Sequence, residues 1–225
     1  MDKTITLFHG STRILEKPVF GQGRINNDFG QGFYCTEDAE MAKECAVNSL
    51  ESGFANRYTL EAGNLRVLDL NSPEYSVLNW MAVLVSHRLF SLRTPVARRA
   101  KFFLIDNFNL NVNAYDIVRG YRADDSYFDY AEAFLNNGIT VGQLNEAMHL
   151  GNLGEQIVLK SQYAFSCLSY EGFEAADKDV YYVKRKARND EANRRYLEIL
   201  EKEDDGLFIQ EIIRKGIKSN DPRLS

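Results

Sequence analysis

The sequence has few cysteines and no long apolar run. Its three cysteines, Cys35, Cys45 and Cys167, are scattered over 225 residues, and none has the CxxC spacing typical of zinc or redox sites. We therefore expect neither a disulfide-stapled fold nor a structural zinc site. The longest apolar run, from Trp80 to Val85, is far shorter than the roughly 20 residues that cross a membrane.

The first residues also lack a basic stretch followed by an apolar core, the pattern of a signal peptide. We therefore expect a cytoplasmic protein with no membrane partner. The chain has 27 Lys and Arg against 32 Asp and Glu, a formal net charge of -5. This balance argues against a protein that holds nucleic acid by bulk charge, although it allows a local basic patch. Apolar residues at 44% and charged residues at 26% exclude wholesale disorder.

Hydrophobic periodicity and turn residues predict a mixture of strands and helices. Strands are expected at 4–9, 32–36, 115–118, 154–160 and 179–184, with a hairpin of 57–60 and 65–70 around Gly63-Asn64. Helices are expected at 37–46 with Thr36 as N-cap, 73–91 with Pro73 in the first turn, 95–106, 126–136, 140–148, 189–203 and 207–215. Residues 164–170 fit either a helix or a strand.

The strands cluster near both ends of the chain with helices between them, which predicts an α+β fold rather than a doubly wound sheet. A chain of 225 residues is long enough to bury one sizeable core. We predict one domain over residues 1–185 with a helical insertion at about 72–150. A C-terminal helical extension, residues 186–225, is expected to pack on the same domain.

A glycine-rich segment occupies residues 21–32, with the sequence GQGRINNDFGQG. Its glycines indicate unusual backbone angles or the close approach of another group. It is not a Walker loop, because no Gly-Lys-Ser/Thr follows, and Asn26 replaces the third glycine of a dinucleotide-binding fingerprint. A surface turn stabilised by Asx bonds is an equally good interpretation.

Three short motifs lie at predicted strand ends. His9-Gly10-Ser11 ends the first strand, Phe29-Gly-Gln-Gly-Phe-Tyr34 leads into the second, and Glu155-Gln-Ile-Val begins a later one. Together they resemble the ADP-ribosyltransferase superfamily in its His–Tyr–Glu branch, which includes poly(ADP-ribose) polymerases and diphtheria toxin. The wider pattern of residues 26–34, NNDFGQGFY, is still more similar to an uncharacterised bacterial and phage family assigned to that superfamily.

The resemblance implies a split antiparallel β-sheet core with inserted helices, and cleavage of the nicotinamide–ribose bond of NAD without a metal. His9 would bind the ribose, the backbone of Gly10 the carboxamide, and the ring of Tyr34 the nicotinamide. Glu155 would polarise the ribose 2′-hydroxyl. These residue types suit the chemistry, because a carboxylate stabilises a sugar cation and an aromatic ring holds a planar leaving group.

Further polar and aromatic side chains near these motifs are candidates for contacts with NAD. Arg24 and Arg122 would meet the phosphates. Asp124 and Asp125, which follow Arg122, are candidates for substrate contacts or cleft closure, with helix capping the better interpretation of Asp125. The remaining candidates for NAD binding are Ser11, Asn27, Asp28 and Phe33.

The third catalytic position is open to two interpretations. Glu155 and Gln156 are adjacent, so on a strand their side chains point to opposite faces. The chemistry favours Glu155, because glutamine supplies a hydrogen bond but no negative charge. If Gln156 faces the cleft instead, we expect weak transferase activity or NAD binding alone.

The function expected from this resemblance is mono-ADP-ribosylation of a macromolecular acceptor, with NAD as the substrate. Such enzymes are often toxins, so an antitoxin partner is a further expectation. Two alternatives remain open: an NAD glycohydrolase, in which water takes the ribose, and a module that binds NAD or ADP-ribose without turnover.

Overall fold

The computed structural model describes residues 4–123, 125–150, 154–202, 204–219 and 221–224. Its strands form two sheets, and the protein has the predicted α+β class. The first sheet is antiparallel, with the strand order β1 (Thr4–Ser11), β3 (Gly53–Glu61) and β7 (Leu168–Ala176). The second has the order β2 (Phe33–Cys35), β6 (Glu155–Leu159), β5 (Ile117–Tyr121) and β4 (Val67–Asp69). It is antiparallel except that β4 runs parallel to β5.

In the described part of the chain, an isolated backbone bridge joins the two sheets. Phe8 donates to the carbonyl of Thr36 at 2.7 Å, and Thr36 donates to the carbonyl of Phe8 at 2.9 Å. Apolar side chains of both sheets pack together in one buried cluster, which includes Leu7, Tyr58, Leu60, Ile117, Ile157 and Leu159. Because side chains alternate along a strand, Val118 and Val158 face the other side of the second sheet.

The eight helices of the described residues are, in chain order, α1 (Ala39–Ala46), α2 (Val77–His87), α3 (Pro95–Phe108), α4 (Asp125–Leu135), α5 (Val141–Met148), α6 (Gln162–Ser166), α7 (Lys178–Leu200) and α8 (Ile209–Lys215). Helices α2 to α5 cover that other side of the second sheet, whereas α1 packs on the first sheet and α6 contributes Ala164 to the cluster between the sheets. Every residue of α2 from Val77 to Val85 is buried, and the helix packs in one apolar cluster with Val118 and Val158. Among the described residues, no helix combines the length and the apolar character needed to cross a membrane.

The predicted hairpin is wrong. Its two segments, β3 and β4, belong to different sheets, and β4 pairs with β5. A carboxylate from outside the segment explains the pairing: Asp116 accepts a hydrogen bond from the backbone N–H of Arg66 at 2.9 Å. This bond holds the start of β4 beside β5. No local pattern in residues 57–70 indicates that β4 pairs with β5.

The strand predicted at 179–184 is also wrong, because these residues are helical. Asp177 caps α7 by accepting from the backbone N–H of Asp179 at 2.9 Å, and the helix continues through residue 185. The run Val-Tyr-Tyr-Val (180–183) has high strand propensity. Tertiary contacts override it: Tyr181 donates to Glu40 of α1 at 3.0 Å, and Lys184 donates to the same carboxylate at 2.9 Å.

Several helix boundaries differ from expectation by a few residues. The N-cap of α1 is Asp38 rather than Thr36, and α2 begins after Ser76, well beyond Pro73. The predicted start of α3 at Pro95 is confirmed. Residues 164–170 contain both of the alternatives, the end of α6 and the start of β7.

Candidate functional site

A cavity of about 240 Å³ opens beside the bridge that joins the two sheets. Its wall combines β1, β2, β6, the glycine-rich segment, α1 and the loop that follows β5. We call this cavity the cleft. The residues predicted from the sequence that line it are His9, Gly10, Asn27, Asp28, Tyr34, Arg122 and Gln156.

His9 enters the cleft from the end of β1. Its Nδ1 lies 2.7 Å from the backbone carbonyl of Tyr34, and its ring packs 4.5 Å from the ring of Phe33. A carbonyl only accepts, so Nδ1 carries the proton and Nε2 of the neutral ring is an acceptor. Burial lowers the pKa of His9, and the hydrogen bond to the Tyr34 carbonyl opposes that shift less strongly. The cleft therefore contains a neutral histidine with a defined tautomer.

The packing of α1 on β1 requires a glycine at position 10, independently of any contact that Gly10 makes in the cleft. A Cβ at this position would lie 2.1 Å from the carbonyl oxygen of Ala42 and 2.8 Å from the backbone nitrogen of Ala46. Both atoms belong to α1, so the absence of a side chain lets this helix lie directly against β1. The proposed contact with a carboxamide is not required to explain a glycine here.

The glycine-rich segment is anchored to β2 and β6 by side chains. The hydroxyl of Tyr34 donates to the carbonyl of Gly30 at 2.6 Å and accepts from the N–H of Phe29 at 3.0 Å. Lys160, just after β6, donates from Nζ to the carbonyls of Phe29 and Gln31, each at 2.6 Å. Burial lowers the pKa of Lys160 to about 8 and raises the pKa of Tyr34. Both residues hold the segment against the second sheet.

Replacing Tyr34 with phenylalanine is expected to destabilise the fold by about 2 kcal/mol, because it leaves the buried Phe29 N–H and Gly30 carbonyl without their partner. Urea unfolding followed by circular dichroism measures the change. Tyr182→Phe is the matched control, because Tyr182 is exposed on α7. Equal unfolding free energies for Tyr34→Phe and wild type would contradict the anchoring role.

Strand register decides which of the two adjacent β6 residues faces the cleft. Tyr34 pairs with Val158, so Gln156, two residues earlier, shares the face of β6 on which Val158 lies. Gln156 is 5% exposed and lines the cleft. The orientation that we expected for Glu155 is therefore reversed, and its catalytic role stays a prediction.

Glu155 lies on the opposite face of β6. Its carboxylate accepts a hydrogen bond from Asn71 Nδ2 at 2.6 Å and another from Arg119 Nε. Arg119 also lies 3.3 Å from a carboxylate oxygen of Glu37. Glu155 thus forms an ion pair with Arg119, and neither residue lines the cleft.

Asp28 supplies a buried carboxylate in the cleft. Its Oδ2 accepts from the backbone N–H of Ala123 and from Nε2 of Gln156, each at 3.0 Å. Its Oδ1 lies 3.6 Å from a guanidinium nitrogen of Arg88. The sequence marks Asp28 only as a candidate for NAD binding, and the structure places its carboxylate in contact with Gln156 of β6.

Arg88 lines the cleft but was missed in the sequence. It directly follows α2, and its guanidinium also lies over the ring of Phe128 at 5.2 Å. In the sequence, the feature that could have indicated Arg88 is a basic residue at the end of a mostly apolar helix.

Other predicted residues lie away from the cleft wall. Ser11 accepts from the N–H of Arg13 at 3.2 Å, Arg24 is exposed, and Phe33 is buried beside His9. Asp124 lies outside the described residues, and the side chain of Asp125 is likewise not described. In the part of the chain that the structure describes, no three His, Cys, Asp or Glu side chains are grouped as around a metal ion.

A family model described as "Protein of unknown function (DUF3990)" matches residues 5–170, well over half of the chain. The chain belongs to the DUF3990 family. The DUF3990 match includes His9, Asp28, Tyr34, Arg88 and Gln156, and it ends inside β7, so α7 and α8 lie beyond it. Neither the curated proteins nor the solved structures gave a match.

Proposed function

We propose that the cleft binds NAD and that this DUF3990 protein is an ADP-ribosyltransferase acting on a macromolecular acceptor. One observation carries the proposal: His9, near the end of β1, and Tyr34, in β2, belong to different sheets and meet at one cleft beside the bridge between the sheets. Two mostly antiparallel sheets in this arrangement support the resemblance to the ADP-ribosyltransferase fold.

The chemistry of the cleft wall supports NAD as the ligand. The neutral ring of His9 offers Nε2 as an acceptor for a ribose hydroxyl, and Tyr34 offers an aromatic ring for the nicotinamide. Arg88 and Arg122 bring positive charge for a diphosphate. The volume of about 240 Å³ is below the roughly 300–1,000 Å³ of pockets that enclose a drug-sized ligand, so the cleft would enclose the nicotinamide–ribose half.

A second candidate function, NAD or ADP-ribose binding without turnover, is favoured by the orientation of Gln156. Breaking the nicotinamide–ribose bond develops positive charge on the sugar, which a nearby negative charge stabilises. An amide at the cleft wall supplies no such charge. We therefore expect turnover to be slow relative to an enzyme with a carboxylate at this position.

Incubating the purified protein with NAD labelled in the adenylate part separates these functions. Label on protein or nucleic acid together with released nicotinamide supports transfer, and released nicotinamide without labelling supports an NAD glycohydrolase. Calorimetric binding without nicotinamide release supports the binding module. No binding and no release would refute the proposed function.

His9→Asn tests the role of the histidine acceptor. Asparagine keeps a donor close to the position of Nδ1, which bonds to the Tyr34 carbonyl, but removes Nε2. We expect the dissociation constant for NAD to rise about tenfold, the equivalent of one lost hydrogen bond. His149→Asn is the matched control, because His149 is exposed and does not line the cleft. An unchanged affinity in His9→Asn would contradict the role of His9.

A further inference from the structure

We propose that Asp28 is a positioning residue that fixes the amide of Gln156, so that β6 presents a neutral hydrogen-bond acceptor to the ligand in the cleft. The fixed orientation of the amide rests on hydrogen bonds alone. Only its consequence for NAD rests on the proposed function.

The hydrogen bonds of Gln156 define which way its amide points. Its Nε2 has two hydrogens, and it lies 3.0 Å from Oδ2 of Asp28 and 3.0 Å from the backbone carbonyl of Tyr121. Oδ2 of Asp28, which also accepts from the N–H of Ala123, and the carbonyl of Tyr121 both act as acceptors, so both hydrogens of the amide are used. A flipped amide would set its oxygen against both acceptors. Oε1 is therefore the atom that Gln156 has left to offer a ligand, and it can only accept.

Asp28 is itself held in the orientation that this contact needs. The backbone N–H of Ala123 donates to the same oxygen that receives Gln156, and Arg88 lies beside the other oxygen at 3.6 Å. These two contacts fix which carboxylate oxygen faces Gln156. Asp28 is buried, so this orientation is also restricted by packing.

The same geometry excludes an ionised glutamate at position 156. Its carboxylate would place an oxygen where Nε2 now lies, 3.0 Å from two acceptors and without a hydrogen to share. The polar contacts of the cleft are thus specific for an amide at this place. The carboxylate nearest to the Gln156 amide is that of Asp28. It lies in the glycine-rich segment and not on β6.

This arrangement suits a ribose whether or not its bond to nicotinamide is intact. The acceptors Nε2 of His9 and Oε1 of Gln156 suit a ligand with hydroxyl donors, and ADP-ribose has such donors as well as NAD. We therefore expect the cleft to bind ADP-ribose, which keeps these hydroxyls but lacks nicotinamide, with an affinity similar to that for NAD.

Nuclear magnetic resonance of the side-chain amides tests the positioning in the wild-type chain. The signals of Gln156 are assigned by their loss in Gln156→Met. Both of its amide protons should exchange with water more slowly than those of Gln22, which is exposed in the glycine-rich segment. Exchange as fast as that of Gln22 for either proton would overturn the proposal without any need for a folded Asp28 variant.

Asp28→Asn gives the matched test of Asp28. It keeps the side-chain volume and removes the charge, and we expect at least about tenfold faster exchange of the Gln156 amide, the equivalent of about 1.4 kcal/mol. The control is Asp106→Asn, the same exchange at an exposed position of α3. Unchanged exchange in Asp28→Asn would refute the positioning role.

Calorimetry with ADP-ribose then separates this inference from the proposed function. We expect about tenfold weaker binding for Asp28→Asn than for wild type and no change for Asp106→Asn. If the wild type binds neither NAD nor ADP-ribose, the proposed function fails while the amide exchange still decides the role of Asp28. If the wild type binds ADP-ribose and Asp28→Asn binds it equally well, the positioning of Gln156 does not serve the ligand and the inference fails alone.

Discussion

Gln156→Glu is expected to lower the free energy of unfolding by about 3 kcal/mol at pH 7.5, the equivalent of roughly two pKa units. The new carboxyl group would face the carboxylate of Asp28 and the carbonyl of Tyr121 at the distance where Gln156 now donates. Desolvation and the neighbouring negative charge would both raise its pKa in the folded state above the ordinary glutamate value of about 4.3.

The sign of the pH dependence follows from that shift. Below about pH 4.3 the new carboxyl group is protonated in both the folded and the unfolded states, so the ionisation penalty is absent. As the pH rises, the unfolded state releases the proton while the folded state keeps it, and stability is lost until the raised pKa is reached. The difference from wild type should therefore be smallest near pH 4 and largest at neutral pH.

Urea unfolding between pH 4 and pH 8 measures this profile. Glu155→Gln is the reverse exchange at the neighbouring residue, whose carboxylate is half-exposed and bonded to Arg119. Its cost should be about 0.5–1 kcal/mol, as for other exposed ion pairs. A Gln156→Glu protein that is as stable as wild type at neutral pH would show that the amide is not required there.

Gly10→Ala is expected to lower the free energy of unfolding by about 3 kcal/mol, at the upper end of the usual cost of overpacking. The new Cβ would lie 2.1 Å from the carbonyl oxygen of Ala42, a backbone atom that moves only with α1. Because Ala42 and Cys45 of α1 also line the cleft, a shift of the helix would change the shape of the cleft as well.

Calorimetric melting measures the effect of Gly10→Ala. For a chain of this length, about 3 kcal/mol corresponds to a fall in Tm of about 6–12 °C. Gly216→Ala is a useful comparison: Gly216 has a φ of +61° and open space around it, so it carries backbone strain without a clash. We expect that variant to lose only about 1 kcal/mol. A melting temperature for Gly10→Ala equal to that of wild type would contradict the close packing of α1 on β1.

Signals confined to a few neighbouring residues predicted much of the fold. Pro95 and Thr140 mark the predicted starts of these two helices, and both are confirmed: α3 begins at Pro95, and Thr140 is the N-cap of α5. The strands β1, β2 and β6 lie close to their predicted places. In each case the cap, turn or apolar alternation is contained in the segment itself, so no knowledge of distant partners was needed.

The pairing of residues that are distant in the sequence could not be predicted from such local signals. The face that Gln156 occupies depends on the register of β6 with Tyr34 of β2, and two adjacent polar residues at a strand end give no alternation from which to infer it. The contact between Asp28 and Gln156 joins residues 128 positions apart. The place of Arg88 in the cleft likewise depends on how α2 packs over the second sheet.

The anchoring of the glycine-rich segment has a thermodynamic consequence for ligand capture. The N–H of Phe29 and the carbonyls of Phe29, Gly30 and Gln31 already have partners within the protein. A loop that cradles phosphate offers unpaired amides, whereas here the Phe29 amide is already engaged. Little freedom of the segment is left to lose on binding, so this wall of the cleft is preorganised and a ligand would meet a rigid surface with a small entropic cost.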